Sequence, residues 1–328
     1  MRKHLSQRPV GLALCLALGL VLGAVLLWVL VRSPGWPALW NSIRKARLAW
    51  VTVAILSVLL TTASKAARWS ILFPQGQRPG MLALARSLVI GQLTNALLLA
   101  RLGGLTRAYV LERTTATGAG IALGTIAVEK ALDILFLLAT VLLVTSFGLF
   151  PAVWNMTFLA LSGAGLLCML LVLLWPEQRL QAWLDRLGER FSGRLSVWLL
   201  GYVRQILSGL RALRSWRQRI LAVAWSLWIW VLAASTNYLL FRAFDLHLPV
   251  GGAFLLLAVL HAGVAPPSTP GRVGVFHALV VLTLTSQGID QGHSLACGTV
   301  LHAVVYGPQL VLGLAAGVTL RGSPRRII

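Results

Sequence analysis

Acidic residues are scarce in this chain of 328 residues, which has 8 Asp plus Glu against 29 Lys plus Arg. Charged residues of both signs make up 11% of it, whereas roughly a quarter is usual in soluble domains, and 58% of the residues are hydrophobic. This composition excludes a soluble enzyme domain. The basic residues stand in short runs between apolar segments, so the net charge of +21 is typical of cytoplasmic loops in a membrane protein and not of a nucleic-acid-binding surface.

Cysteines are few, and the usual catalytic signatures are missing. Cys15, Cys168 and Cys297 lie inside apolar runs, where a thiol behaves as a small hydrophobic group and no disulfide framework is expected. The sequence has no C-x-x-C, no H-E-x-x-H, no Walker loop and no G-x-G-x-x-G that follows a strand. We therefore expect neither a metal site nor a cofactor.

Five histidines in the second half of the chain lack metal-ligand spacing: His247, His261, His277, His293 and His302. Three of them, His261, His277 and His302, lie within or beside apolar segments and are placed to converge in space. We interpret them as hydrogen-bonded packing groups, with a zinc site as the alternative.

Long apolar runs dominate the chain. A run of about 20 apolar residues crosses the hydrocarbon core as a helix. The first run, 10–31, exceeds the core of a signal peptide, which has about 7 to 15 residues, and is therefore expected to be an uncleaved span. Nine segments are apolar: 10–31, 48–73, 81–100, 118–149, 153–175, 220–241, 250–265, 273–287 and 295–320. The sequence predicts an all-α, polytopic integral membrane protein that forms one transmembrane domain over 1–328, with about seven to nine helical segments.

Two of these segments, 250–265 and 273–287, are short and flank a Pro-rich run that no helix passes through intact. We expect 250–287 to form two half-helices or a re-entrant hairpin. Arg272-Val-Gly274 follows this break, and Arg101-Leu-Gly103 follows another apolar segment about midway through the first half of the chain. Interrupted helices in corresponding positions of two pseudo-repeated halves indicate a transport site near the membrane midplane, and chance similarity is the alternative.

The orientation follows from the basic residues. Segment 176–219 has nine Arg, with apolar residues at helical spacing, and is expected to be a cytoplasmic amphipathic segment. Its Arg side chains either attract anionic lipid or only fix the topology. Segment 101–117 and both termini are then expected on the same side, with 81–100 dipping in and out. Segment 32–47, expected to be a loop, opposes this orientation because it carries four basic residues.

Glu129 and Asp133 stand inside an apolar segment, four residues apart on one helix face. Ionisable groups within a span are costly and are functional candidates by default. The alternative is that the span begins near Glu129, so that both carboxylates lie at the cytoplasmic interface, solvated or paired.

A second candidate is the Gly103-Gly104 break between Arg101 and Arg107, shortly after Asn95. Backbone N–H groups and guanidinium groups at such a break suit a phosphate. A basic loop at the membrane boundary is the alternative.

Five short motifs, in order, resemble the lysylphosphatidylglycerol synthase transmembrane region family, a flippase-like membrane domain. They are Lys65-Ala-Ala-Arg68-Trp69, Gly91-Gln-Leu-Thr-Asn95, Arg101-Leu-Gly103-Gly104, Glu129-Lys-Ala-Leu-Asp133 and Pro270-Gly-Arg-Val-Gly274. In that family the domain stands alone or is fused to a soluble aminoacyl-phospholipid synthase domain. Only eight residues follow Leu320, so aminoacyl transfer is not expected here. The resemblance implies movement of lipid between leaflets.

The chain departs from the family pattern in both Arg motifs. It has Ala100 and Gly104 where the family commonly has Pro and an acidic residue, and Arg272 and His277 where the family tends to have Gly and Glu. The loss of these acids argues against a proton-coupled mechanism. The gain of Arg272 favours an anionic lipid.

The predicted function is to bind an anionic phospholipid or lipid-linked substrate and help it cross a bacterial inner membrane, as a multi-pass protein without nucleic-acid partners. Arg101, Arg107 and Arg272 would bind the phosphate, and Glu129 and Asp133 would pair with these Arg or gate them. The full set of predicted binding residues is Asn95, Arg101, Gly103, Arg107, Glu129, Asp133, Pro270, Gly271, Arg272, Gly274 and His277. A membrane-embedded lipid-modifying enzyme and a non-transporting scaffold subunit remain alternatives, and a homo-oligomer stays open.

Overall fold

A computed structural model of the chain describes residues 8–74, 76–98, 102–149, 152–174, 186, 216–265 and 269–321. These residues form eleven α-helices and one 3₁₀ turn, and none of them lies in a strand. The predicted all-α, polytopic membrane fold is therefore confirmed. The predicted amphipathic segment 176–219 lies outside the described residues, except for Arg186 and 216–219.

Each of the nine apolar segments corresponds to a helix within a few residues. The helices are α1 (Arg8–Arg32), α2 (Trp36–Arg44), α3 (Leu48–Ile71), α4 (Met81–Leu97), α5 (Gly103–Thr114), α6 (Ala119–Ser146), α7 (Ala152–Leu174), α8 (Trp216–Ala243), α9 (Val250–Gly263), α10 (Val275–Thr285) and α11 (Gln291–Arg321), with the 3₁₀ turn at Pro270–Arg272. Among the described residues, α3, α8 and α11 are long and apolar enough to cross a membrane by themselves. The bent pair α1–α2 is a fourth candidate, as a broken span.

The prediction of a loop over 32–47 is wrong, because α2 occupies most of it at 85° to the end of α1. Gly35, with a φ of 74°, makes the turn between the two helices. Arg44 and Arg47, two of the four basic residues of this segment, contact an aromatic ring and a carboxylate, respectively. The Arg44 guanidinium lies 5.1 Å from the ring centroid of Trp40, and Arg47 forms an exposed ion pair with Asp245 at 3.3 Å.

The chain divides into two compact units, each of which draws on both halves of the sequence. The first unit comprises Met1–Leu60, Val89–Gly103 and Leu232–Ile328. Its core lies between α3, α8, α9, α10 and α11 and is filled by large apolar side chains such as Phe241, Leu256, Val280, Leu284 and Leu301. Burial of these side chains contributes roughly 1.5 to 3 kcal/mol each relative to exposure in water, although in a bilayer close packing replaces most of that driving force.

The second unit comprises Thr61–Leu88 and Gly104–Val231. Its core is smaller and lies around the indole of Trp69, with Phe73, Leu84, Leu111 and Ile126 against it. α6 and α7 pack closely, since a Cβ on Gly165 would stand 3.3 Å from the side chain of Leu138. Small residues at such contacts let two helices approach in a membrane.

Candidate functional site

In the first unit, α9 and α10 form an antiparallel pair. A Cβ on Gly252 near the start of α9 would stand 2.5 Å from Oε1 of Gln287 just beyond α10, and a Cβ on Gly263 would stand 2.7 Å from Cδ1 of Leu279. With 14 and 11 residues, the two helices are about 21 Å and about 17 Å long, shorter than a hydrocarbon core of about 30 Å. α9 and α10 are therefore two short antiparallel arms of one hairpin, and its re-entrant position in the membrane stays a prediction.

The tip of this hairpin has an unusual backbone. Gly271, Arg272 and Gly274 have φ values of 63°, 58° and 85°, in the left-handed region that glycine tolerates and arginine rarely adopts. Within the tip, the Thr269 hydroxyl donates a hydrogen bond to the Val273 carbonyl at 2.6 Å. A non-glycine residue in this region costs on the order of 1 to 3 kcal/mol and is typical of functional sites. The backbone of the tip that positions Arg272 is therefore strained.

The tip also lies deep along the neighbouring helices of its unit. A Cβ on Gly274 would stand 2.6 Å from the carbonyl oxygen of Gly23, so the two backbones are in direct contact. Gly23 lies nine residues before the end of α1, which is about 14 Å along the helix axis. Half of a hydrocarbon core is about 15 Å. The tip therefore contacts α1 about 14 Å from its end, and the midplane position of the break stays a prediction.

The Arg272 side chain contacts the phenol group of Tyr306. Its Nη1 donates to Oη of Tyr306 at 2.8 Å, and its guanidinium lies 5.7 Å from the centroid of the same ring. The side chain is half-buried, and no Asp or Glu among the described residues forms an ion pair with it. This cation is therefore not neutralised within the described part of the chain.

Aromatic and imidazole rings surround the tip. Phe276, His277, His302 and Tyr306 lie with neighbouring ring centroids 4.6 to 6.1 Å apart. The His277 Nδ1 accepts the N–H of Gly274 at 3.4 Å, which caps α10, and the His302 Nε2 lies 2.8 Å from the Gly271 carbonyl. The predicted convergence is confirmed for His277 and His302. No three His, Cys, Asp or Glu side chains in the described ranges group as metal ligands.

In the second unit, Arg107 and Glu129 form a buried ion pair between α5 and α6. The two guanidinium nitrogens Nη1 and Nη2 donate to Oε1 and Oε2 of Glu129 at 3.2 and 2.7 Å. Glu129 is only 3% exposed, so its carboxylate is paired within the protein and not solvated. The predicted pairing of a carboxylate with one of the proposed phosphate ligands is present, and the role of either residue in lipid binding stays a prediction.

Arg68 is the residue of this cluster that the sequence did not single out as a site. Its Nη2 donates to Oδ1 of Asp133 at 2.8 Å and lies 3.4 Å from Oε1 of Glu129, and its Nη1 donates to Oγ of Ser226 at 3.0 Å. The side chain is 0% exposed. Glu129 therefore bridges two guanidinium groups, one from α3 and one from α5. The sequence signals were a basic residue within an apolar run and its place in the first of the motifs that carry the family resemblance.

Trp69 fixes the position of Arg107. The guanidinium carbon lies 4.0 Å from the indole centroid, within the range of a cation–π contact. The indole Nε1 in turn donates to Oγ1 of Thr125 at 2.9 Å, and that hydroxyl donates to the Ala122 carbonyl at 2.8 Å. A chain of contacts from α6 through Trp69 thus orients the Arg107 side chain.

The predicted Asn95–Gly103 region forms a close helix contact in the first unit. The Gly103 N–H donates to Oδ1 of Asn95 at 2.8 Å, so this N–H is not available to a phosphate. A Cβ on Gly103 would stand 2.2 Å from the Gly91 carbonyl oxygen, so only glycine fits there. Arg101, the third proposed phosphate ligand, lies outside the described residues.

Two comparisons with known proteins agree with the helical architecture and the ordered motifs. The chain is 25% identical over 330 aligned positions to a "UPF0104 membrane protein" of Methanothermobacter thermautotrophicus, which covers 92% of this chain and 94% of the relative. No solved structure matches the chain. The family model described as "Lysylphosphatidylglycerol synthase TM region" matches residues 16–313. The chain therefore belongs to the lysylphosphatidylglycerol synthase transmembrane region family.

Proposed function

We propose that this membrane protein binds the phosphate of an anionic phospholipid or lipid-linked substrate and helps it cross the bilayer, in a bacterial inner membrane. The observation that carries the proposal is Arg272, a half-buried cation at the tip of an interrupted hairpin, without a carboxylate partner among the described residues. An Arg near the centre of a span costs roughly 2.5 to 3.5 kcal/mol, and such residues usually mark a substrate pathway. An anionic headgroup would supply the missing charge.

The chemistry around Arg272 suits a phosphodiester. A guanidinium presents several N–H donors in one plane, and Nη1 is the one that a described residue engages, through Tyr306. The Tyr306 hydroxyl accepts that hydrogen bond and so lies directly beside the guanidinium that would bind the phosphate. The apolar surroundings, with Phe276 and Val280 buried nearby in the same unit, would strengthen such a contact by excluding water.

The other predicted binding residues take supporting roles in this proposal. Pro270, Gly271 and Gly274 shape the tip that carries Arg272, and His277 caps the helix that follows. Glu129 and Asp133 hold Arg107 and Arg68 in place, as gating groups would.

Replacement of Arg272 by Gln is expected to slow lipid movement at least about tenfold, which corresponds to about 1.4 kcal/mol. The measurement is the transfer of fluorescent phosphatidylglycerol between leaflets of proteoliposomes. Arg272→Lys keeps the positive charge but loses the planar set of guanidinium N–H donors. We therefore expect a rate of lipid transfer between those of the wild type and of Arg272→Gln. Arg242→Gln is the matched control, because it removes an exposed Arg of the same unit, and its rate should equal that of the wild type.

Three outcomes would contradict the proposal. If Arg272→Gln transfers lipid at the wild-type rate, Arg272 does not bind the phosphate. Equal rates in empty vesicles and in vesicles with the wild-type protein would favour a non-transporting scaffold. A chemically altered lipid, seen by mass spectrometry after incubation, would favour a lipid-modifying enzyme.

A further inference from the structure

The charged cluster of the second unit contains more cations than carboxylates. Its members are Lys65 and Arg68 on α3, Arg107 on α5, and Glu129, Lys130 and Asp133 on α6. Lys130 is 53% exposed, so the buried and half-buried part of the cluster has three cations against two carboxylates, an excess of one positive charge. Buried charges in proteins are normally balanced by partners. The imbalance indicates that the cluster accepts a further negative group.

The two carboxylates are already fully engaged. Both oxygens of Glu129 face guanidinium groups, one Asp133 oxygen accepts from Arg68, and the other lies 3.2 Å from Nζ of Lys130. Lys65 is half-buried, and its electrostatic neighbours are Asp133 and Glu129, but it forms no ion pair within 4 Å in the described part of the chain. No acid of the cluster is left to neutralise it.

Two hydrogen-bond donors in the same cluster are also unsatisfied. The Nε atoms of Arg68 and Arg107 are fully buried and have no acceptor among the described residues. A buried donor without a partner costs roughly 1 to 3 kcal/mol, and native structures rarely keep two in one place. Arg68 is 0% exposed and Arg107 is 6% exposed, so bulk water does not satisfy these atoms.

We infer that Lys65, Arg68 and Arg107 form a binding site for a phosphate group in the second unit. An anion would neutralise the excess positive charge, and oxygen acceptors would satisfy the two guanidinium N–H groups. A phosphate group supplies both the negative charge and the oxygen atoms. The phosphate belongs either to a lipid headgroup or to free inorganic phosphate. This site involves none of the residues around Arg272, so it can be tested separately, although the proposed function also gives Arg68 and Arg107 a gating role.

A matched pair of variants tests the inference. Lys65→Gln and Lys130→Gln each remove one positive charge from the cluster. Lys65 forms no ion pair with a described residue, whereas Lys130 is 53% exposed and pairs with Asp133. The full-length protein is titrated with inorganic phosphate in detergent by calorimetry. In parallel, lipids retained in nanodiscs of mixed phosphatidylcholine and phosphatidylglycerol are counted by native mass spectrometry. We expect Lys65→Gln to weaken binding in one of these arms at least about tenfold and Lys130→Gln to change it much less.

Binding in the lipid arm alone would identify a headgroup as the source of the phosphate, and binding in the calorimetric arm alone would identify the free ion. No binding by the wild-type protein in either arm, or an equal loss in both variants, would overturn the inference. Thermal unfolding of each variant establishes that it is folded. Arg272→Gln should keep full phosphate binding even where it abolishes lipid movement, so failure of one proposal is distinguishable from failure of the other.

Discussion

Replacement of Arg107 by Met is expected to lower the free energy of unfolding by about 3 to 5 kcal/mol, the usual cost of removing one partner of a buried ion pair. Glu129 would keep only its 3.4 Å contact with Arg68, while its Oε2, now 2.7 Å from Arg107, would have no partner. Water cannot compensate, because Glu129 is 3% exposed. The measurement is thermal unfolding of the purified protein in detergent, followed by tryptophan fluorescence.

A second variant separates charge from packing. In the double variant Arg107→Met, Glu129→Gln, the buried negative charge is gone, and most of the lost stability should return. Arg68 would still be paired with Asp133 at 2.8 Å. If the double variant is no more stable than Arg107→Met, the Arg107 contribution lies in its packing on the Trp69 ring and not in the ion pair.

The helices could be predicted from the sequence because each rests on a local property. The membrane requires about 20 apolar residues per crossing, and proline and glycine mark where a helix stops, so runs such as 48–73 and 250–265 fix α3 and α9 within a few residues. α2 could not be predicted in this way. It has only nine residues, too few to cross a membrane, and its charged end resembles a loop until its packing against the rest of the unit is known.

The candidate sites could be predicted only in part, because pairing between distant residues is not local. The helix break that carries Arg272 could be predicted, because Pro270 and Gly274 lie close to it in the sequence. Arg68 and Asp133 are 65 residues apart, and nothing in either neighbourhood indicates the other. For the same reason, Arg107 looked like a free phosphate ligand, whereas the fold directs it to Glu129.

Replacement of Gly274 by Ala is expected to cost roughly 2 to 5 kcal/mol of stability, from two separate effects. The φ of 85° is strained for any residue with a Cβ. The added Cβ would also stand 2.6 Å from the carbonyl oxygen and 2.9 Å from the Cα of Gly23. Those are backbone atoms of α1 and cannot rotate away, so the tip and α1 must separate. Thermal unfolding in detergent measures the loss, and the Arg272-dependent lipid transfer should fall with it.

Gly271→Ala is the control that isolates the clash. Gly271 has a similar φ of 63°, but an added Cβ would meet only Cγ2 of Val273 at 3.5 Å, an ordinary contact. This variant should therefore show the backbone strain alone, roughly 1 to 2 kcal/mol. Equal losses in the two variants would mean that α1 does not pack on the tip as closely as the Gly23–Gly274 contact requires. A larger loss in Gly274→Ala would show that the position of Arg272 depends on that contact, because the same backbone turn carries both residues.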